Sequence, residues 1–199
     1  MFQKSFSGTK FLLIGFLFFS ELAFGQKLKY EVSLMGNKIG ATTVEKKDST
    51  DGFTLYRLRS RSEVNLLFTK RKSEMIADVW YRNGELFSSY FRNVKDDELL
   101  VTQTLRDKLW YWITKNGQRF QMKKAIRLSS VLLYFEEPKS ASEFYSERLG
   151  EFFEIQKKGE GVYEAFIDGT NAIYTYGGGE LLTLEMKRSV GNILMKKVP

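Results

Sequence analysis

Two Asn-Gly dipeptides, Asn83-Gly84 and Asn116-Gly117, constrain the fold of this chain more than any other feature. Asn-Gly between two alternating runs specifies a two-residue hairpin turn, because both central residues need positive φ and these two residue types tolerate it best. Gly36-Asn37, Asp51-Gly52, Asp168-Gly169 and Gly177-Gly178-Gly179 punctuate the remainder at strand-length intervals. Only Pro138 and Pro199 interrupt it, so few positions forbid strand pairing. A chain punctuated in this way is an antiparallel meander.

The turns imply registers. Asn83-Gly84 sets Arg82 opposite Glu85, Trp80 opposite Phe87, Asp78 opposite Ser89 and Ile76 opposite Phe91, with Tyr81–Leu86 and Ala77–Tyr90 on the reverse face. Asn116-Gly117 sets Ile113 opposite Phe120 and Tyr111 opposite Met122, with Trp110 facing Lys123. Gly36-Asn37 sets Leu34 opposite Ile39, Val32 opposite Ala41 and Tyr30 opposite Thr43. The turns after Ile167 and Tyr176 stack Tyr163, Tyr174 and Leu182 in one row. Gly191–Val198 is expected as a final edge strand, blunted by Lys196, Lys197 and Pro199. Both faces of several strands are partly apolar, so both need cover. About twelve such strands do not lie flat. The expected fold is all-β, an antiparallel meander curled into a strongly curved sheet or open barrel.

One segment breaks the alternation. Leu128, Leu132 and Phe135 recur at four and three residues, and Val131 joins their stripe, which predicts a helix of about ten residues within 125–138. Ser129 or Ser130 can cap its start, and Pro138 ends it. So short a helix needs the sheet to lie on, and it is expected at the barrel mouth. There it is either a plug in the core or a gate over a ligand cavity.

The N-terminus has the order of a secretory signal. Lys4 and Lys10 precede the nine residues Phe11–Phe19, which are too few to span a bilayer, and Ala23-Phe24-Gly25 offers a cleavage site. The expected organisation is a signal peptide over 1–25 and one β-meander domain over 26–199, periplasmic or secreted, beginning at Gln26 and without a transmembrane segment. Removing Lys4, Lys10 and Glu21 leaves a net charge of +6. That balance suits an anionic envelope component such as lipid, lipopolysaccharide or an acidic polymer. Export argues against nucleic acid.

The chemistry is bounded by what is missing. With no histidine and no cysteine, Ser-His-Asp and Cys-His sites cannot be built, and neither can the usual zinc sites. Gly177–Gly179 lies between strands and precedes no helix, so it is a turn and not a phosphate cradle. No cofactor is expected. Carboxylate pairs remain, at Glu136-Glu137 and Asp96-Asp97, but a hydrolytic pair depends on a spatial gap. The candidate ligand-binding residues are Arg57, Arg59 and Arg61, which share one strand face, Asp78 and Trp80 on the neighbouring strand, and Leu132 and Phe135 of the helix. The arginine stripe is either a solvated outer face or a lumen that pairs with anionic head groups through guanidinium forks. Asp78 is either hydrogen-bonded to Ser89 across its hairpin or aimed at a ligand. Trp110 and Trp112 beside Lys123 suit an outer cation–π pair or a contact with a membrane or partner.

Tyr30-Glu31-Val32 followed by Gly36-Asn37-Lys38-Ile39-Gly40, then the Ser129–Pro138 segment, then Gly161–Tyr176, resembles a family of exported bacterial proteins known only as a domain of unknown function. The chain is more remotely similar to a second uncharacterised exported family with a Tyr-x-Val…Gly-x-x-x-Gly opening and a Ser-x-Leu-Tyr-Tyr helix. The resemblance implies the curved-sheet fold of periplasmic lipoprotein carriers and brings no catalytic residue with it. The combined expectation is an exported, non-enzymatic binding protein that holds an apolar or amphiphilic envelope ligand, such as a lipid, in a concave sheet. The alternative is a structural or interaction protein with a filled core. The contents of the sheet's concave side discriminate between them.

Overall fold

The computed structural model describes residues 25–66, 69–187 and 191–199. The signal-peptide reading of residues 1–25 lies outside the described residues except for Gly25. The strands are β1 (Gln26–Leu34), β2 (Asn37–Asp48), β3 (Phe53–Leu66), β4 (Thr69–Arg82), β5 (Glu85–Lys95), β6 (Glu98–Asp107), β7 (Trp110–Lys115), β8 (Gln118–Met122), β9 (Glu143–Ser146), β10 (Glu151–Glu154), β11 (Gln156–Gly159), β12 (Val162–Ile167), β13 (Thr170–Gly177), β14 (Glu180–Lys187) and β15 (Ile193–Val198). Thirteen of them form one antiparallel sheet in the order β11-β12-β13-β14-β15-β1-β2-β3-β4-β5-β6-β7-β8, while β9 and β10 form a separate hairpin. The sheet is curved and not closed, as the meander pattern predicts. Among the described residues no helix is long and apolar enough to cross a membrane.

The expected final edge strand is not an edge. β15 pairs with β14 on one side and with β1 on the other, with Val32 opposite Met195 and Tyr30 opposite Lys197. Lys196 faces outward, while Lys197, on the face of Met195, is ion-paired with Glu180. The edges of the sheet are β8 and β11, both from the middle of the chain. Sequence order hides this, because a meander read linearly always seems to end on its last strand.

The turn residues work as expected. Asn83 and Gly84 have φ of 52° and 73°, and Asn116 and Gly117 have 47° and 83°. The Asn116-Gly117 register is as read, with Ile113 opposite Phe120 and Tyr111 opposite Met122. Elsewhere β-bulges shift the pairing. After Arg82–Glu85 and Tyr81–Leu86, a bulge places Trp80 opposite Ser88, Asp78 opposite Tyr90 and Ile76 opposite Arg92, and leaves Phe87 without a partner. The first turn is Met35-Gly36, not Gly36-Asn37, since those two residues take positive φ. A bulge at Val32/Ser33 then sets Tyr30 opposite Thr42. Tyr163–Tyr174 pairs as expected, but the bulge at Thr175/Tyr176 gives Tyr174 the partner Leu184 in place of Leu182. Gly40 has a different role: a Cβ there would lie 2.0 Å from the Arg61 carbonyl oxygen, so only glycine lets β2 approach β3 at this point.

The predicted helix is reduced to one 3-10 turn, Leu132–Tyr134, with no side-chain cap. Its N-terminal half is pulled into extended pairing instead. Ser130 N–H donates to the Tyr145 carbonyl, Tyr145 N–H donates to that of Leu128, and Ser129 bridges Tyr145 in parallel. Local periodicity gives way here to tertiary pairing, as weak propensities do.

That segment nevertheless organises the molecule. Residues 123–155 leave one sheet edge after β8, return to the other at β11, and lie between them on the concave side. Ile126, Val131, Leu132, Leu133, Tyr134, Phe144, Tyr145 and Ile155 are buried in one cluster with the inner faces of the strands. Their contacts run right round the sheet. Ile126 accepts from the Leu86 amide on β5 at 2.8 Å, and Tyr145 shares a 2.7 Å hydrogen bond with Thr104 on β6. Tyr134 packs edge-on against Tyr30 on β1 at 5.2 Å, Phe135 packs against Tyr56 on β3, and Phe144 meets Tyr174 on β13. Tyr176 donates to the Leu133 carbonyl at 2.8 Å. Nine of the ten tyrosines are buried, so the core is built of rings that each remove roughly 150–250 Å² from water while keeping a hydroxyl to anchor.

Candidate functional site

The curved sheet has two faces, and the candidate residues divide between them. Leu132 and Phe135 belong to the plug. Leu132 is 3% exposed in the core and Phe135 is half-buried on Tyr56. Arg57, Arg59, Arg61, Asp78 and Trp80 lie on the opposite, outer face, since their neighbours Tyr56, Leu58, Ala77 and Val79 point into the core. The set expected to share a lumen is therefore not one site.

The arginine stripe is internally neutralised. Arg57 Nε donates to Asp78 Oδ1 at 3.0 Å, and Arg59 donates to Oδ2 at 3.2 Å and approaches Oδ1 at 2.9 Å. Arg59 also donates to the Leu58 and Ala77 carbonyls. Burial opposes ionisation of Asp78 more than any other single influence, yet the hydrogen bonds from Arg59 and Arg57 together hold its carboxyl below the usual range. Asp78 is thus bonded to arginines, not to Ser89, which the bulge has moved opposite Val79. Arg61 is spent on Glu74 at 3.0 Å. Guanidinium forks already filled by carboxylates do not offer a free anion cradle.

Beside this charged zone the outer face is aromatic. Leu55 lies opposite Trp80, Trp80 opposite Ser88, Ser88 opposite Leu105 and Leu105 opposite Trp112, so these residues form one row across β3 to β7. Phe53 packs edge-on against Trp80 at 6.3 Å and against the bulged Phe87 at 5.2 Å. Leu109, at the tip of the β6–β7 turn, is 70% exposed, and Trp110 beside it is 42% exposed. Cations cover the rings: Arg82 over Phe53 at 4.9 Å, Arg119 over Trp112 at 3.9 Å and Lys123 over Trp110 at 5.7 Å. The Trp110–Lys123 neighbourhood was legible in the sequence. Phe53, Leu105 and Leu109 were not singled out; Phe87 was read on this face opposite Trp80, and the bulge leaves it there without a partner.

The carboxylate pairs stand apart. Asp96 accepts from Arg71 at 2.9 Å and from the Lys72 amide at 3.1 Å, on the rim of an open groove of about 540 Å³. Arg61, Glu63, Lys70 and Lys72 also line that groove, and Lys70 pairs with Glu63 at 2.6 Å. Glu137 accepts from Tyr163 at 2.9 Å, while Glu136 lines a smaller pocket of about 150 Å³ at the other end. A third carboxylate, Glu147, is 1% exposed. It accepts from Ser130 Oγ and from the Val131 amide at 3.3 Å, and burial pushes its pKa up despite these bonds. Tyr81 Oη and Ser129 Oγ nearby have no hydrogen-bond partner among the described residues. The bonds to Glu147 tie two parts of the plug, Ser130–Val131 and Glu147, to each other.

This arrangement defines a class: an antiparallel, barrel-like sheet filled by its own connecting segment. The family model for a domain of unknown function, DUF6134, matches residues 30–198, and the chain belongs to that family. No curated protein matches the chain. Among solved structures it is similar to a beta-barrel-like protein of another domain of unknown function, DUF1849, from Brucella abortus. The two share 11% identity over 86% of this chain and 95% of that one, with a TM-score of 0.52. At that identity the likeness is one of fold.

Proposed function

We propose that this is an exported, non-enzymatic interaction protein of the cell envelope, working through the outer face of its sheet. One observation carries the reading: residues 123–155 occupy the concave side, where a carrier would hold its ligand. Buried Tyr134, Tyr145 and Leu133 touch strands from both halves of the sheet, so the interior is already packed with protein. Side chains packed at interior density leave no room for an acyl chain without expulsion of the plug. The ion-paired arginines and locked carboxylates support a role in recognition, not in turnover. Native mass spectrometry of the protein extracted gently from the envelope tests the reading. The expected spectrum is the polypeptide mass alone. A stoichiometric lipid adduct that Leu132→Trp abolishes, in a variant that still folds, overturns it and restores the concave-sheet carrier.

A further inference from the structure

We infer that the aromatic end of the outer sheet face docks on an anionic membrane surface, an inference that rests on the outer-face reading above. The first observation is where the exposed apolar side chains fall. Trp80, Phe87, Leu105, Leu109 and Trp110 are each between 37% and 70% exposed, and all lie toward one end of β4 to β7. Leu109 occupies a hairpin tip, and its turn partner Lys108 takes a φ of 57° without being glycine. An exposed leucine beside an exposed tryptophan on a strained tip has no role in the core.

The second observation is charge. Arg82, Lys108, Arg119 and Lys123 surround these side chains, and none of them is ion-paired among the described residues. Three of the four are held against aromatic rings. The arginines two rows away are all paired, whereas these four cations stand free beside the apolar groups. Tryptophan and leucine that enter the headgroup layer, ringed by cations that meet lipid phosphates, match the chemistry of an anionic bilayer interface.

A second copy of this chain fits less well. A two-fold contact would place the patch against itself and the four cations against their own copies, outnumbering the carboxylate of Asp107 that stands opposite Trp110. The chain also enters the fold at this end, because Gln26 pairs with Lys46 next to the turn that precedes Phe53.

Residues 26–199 contain every described strand and are the piece to test, by flotation with vesicles. The probes are phosphatidylglycerol/phosphatidylethanolamine vesicles and pure phosphatidylcholine vesicles. The expected result is binding to the anionic vesicles that weakens with salt, together with quenching of tryptophan emission by brominated lipid. Leu109→Ser/Trp110→Ala and Arg119→Glu/Lys123→Glu should each weaken it by about tenfold or more, with melting temperatures near that of the wild type. Absence of binding to anionic vesicles at low salt overturns the inference, as does equal binding to phosphatidylcholine or binding that neither variant changes. Crosslinking from position 110 to a protein with no vesicle binding also overturns it, while leaving the outer-face reading intact. A lipid adduct seated on the plug in native mass spectrometry would instead sink the outer-face reading itself.

Discussion

Leu133→Ala tests whether the plug is structural. Leu133 is fully buried, and its carbonyl accepts the Tyr176 hydroxyl. Truncation leaves that main-chain bond in place and removes only packing. Buried Leu→Ala changes cost roughly 2.7–5 kcal/mol, the spread reflecting how far the cavity collapses. The rings of Tyr134, Tyr145 and Tyr176 around the plug are anchored by hydroxyl hydrogen bonds, so collapse is resisted and the upper half of that range is expected. For a chain of this size each kcal/mol moves the melting temperature by roughly 2–4 °C, which gives a drop on the order of 10 °C. Phe135→Ala should cost less, because Phe135 is only half-buried. Urea unfolding followed by circular dichroism measures both, and Leu109→Ser serves as an exposed control expected within about 0.5 kcal/mol of wild type. A loss below about 1 kcal/mol for Leu133→Ala, or a larger loss for Phe135→Ala, would refute the argument, since either result makes the segment a loosely held gate.

Glu147 should give stability an unusual pH dependence. Its folded pKa is raised, so the stability of its neutral form is fully present at and below the ordinary carboxylate range and is lost as pH rises through the folded value. Asp78, with a depressed pKa, acts in the opposite sense and in a more acid window, its contribution being lost as pH falls through its folded value. Unfolding free energies from mildly acid to mildly alkaline pH should therefore decline for the wild type and stay flatter for Glu147→Gln; equal slopes contradict the assignment. Gly84→Val and Gly117→Val should each destabilise by on the order of 1 kcal/mol or more, because a β-branched residue resists positive φ. Unchanged melting temperatures for both would contradict the turn geometry. Export is expected with cleavage after Gly25, and N-terminal sequencing of the exported protein should begin at Gln26; retention of residues 1–25 in a membrane fraction would count against it.

The hairpins were legible because Asn-Gly and Asp-Gly turns announce themselves in the chemistry of two residues. Register beyond the turn was legible only until the first bulge. The Asn116-Gly117 ladder runs true to Met122, whereas the Asn83-Gly84 ladder slips at Trp80/Tyr81. A bulge follows from the curvature of the whole sheet, which no local pattern records. The helix over 125–138 was misread for a related reason. Its apolar spacing is real and buries the same side chains, but Tyr145 claims the Ser129–Ser130 backbone from a distance of sixteen residues. The apolar spacing marked the plug, while its conformation was decided by the partner. Arg57, Arg59 and Arg61 showed their shared face in sequence and hid their occupancy, because Asp78 and Glu74 become their partners only across a strand pair.

The pairing of β1 with β15 has a consequence for how the protein is made. Residues 29–34 find one neighbour, β2, as soon as the first turn forms, but wait for the other until residues 193–198 are present. Contacts between such distant parts of a chain form late, because closing so long a loop costs entropy that nothing repays beforehand. A chain that emerges from its N-terminus can thus assemble β1 to β8 early, with the far edge of β1 left bare. It can join the two halves only once the last strand is present. The last step of folding is then also the step that removes this unpaired edge, tying completion of the sheet to completion of the chain.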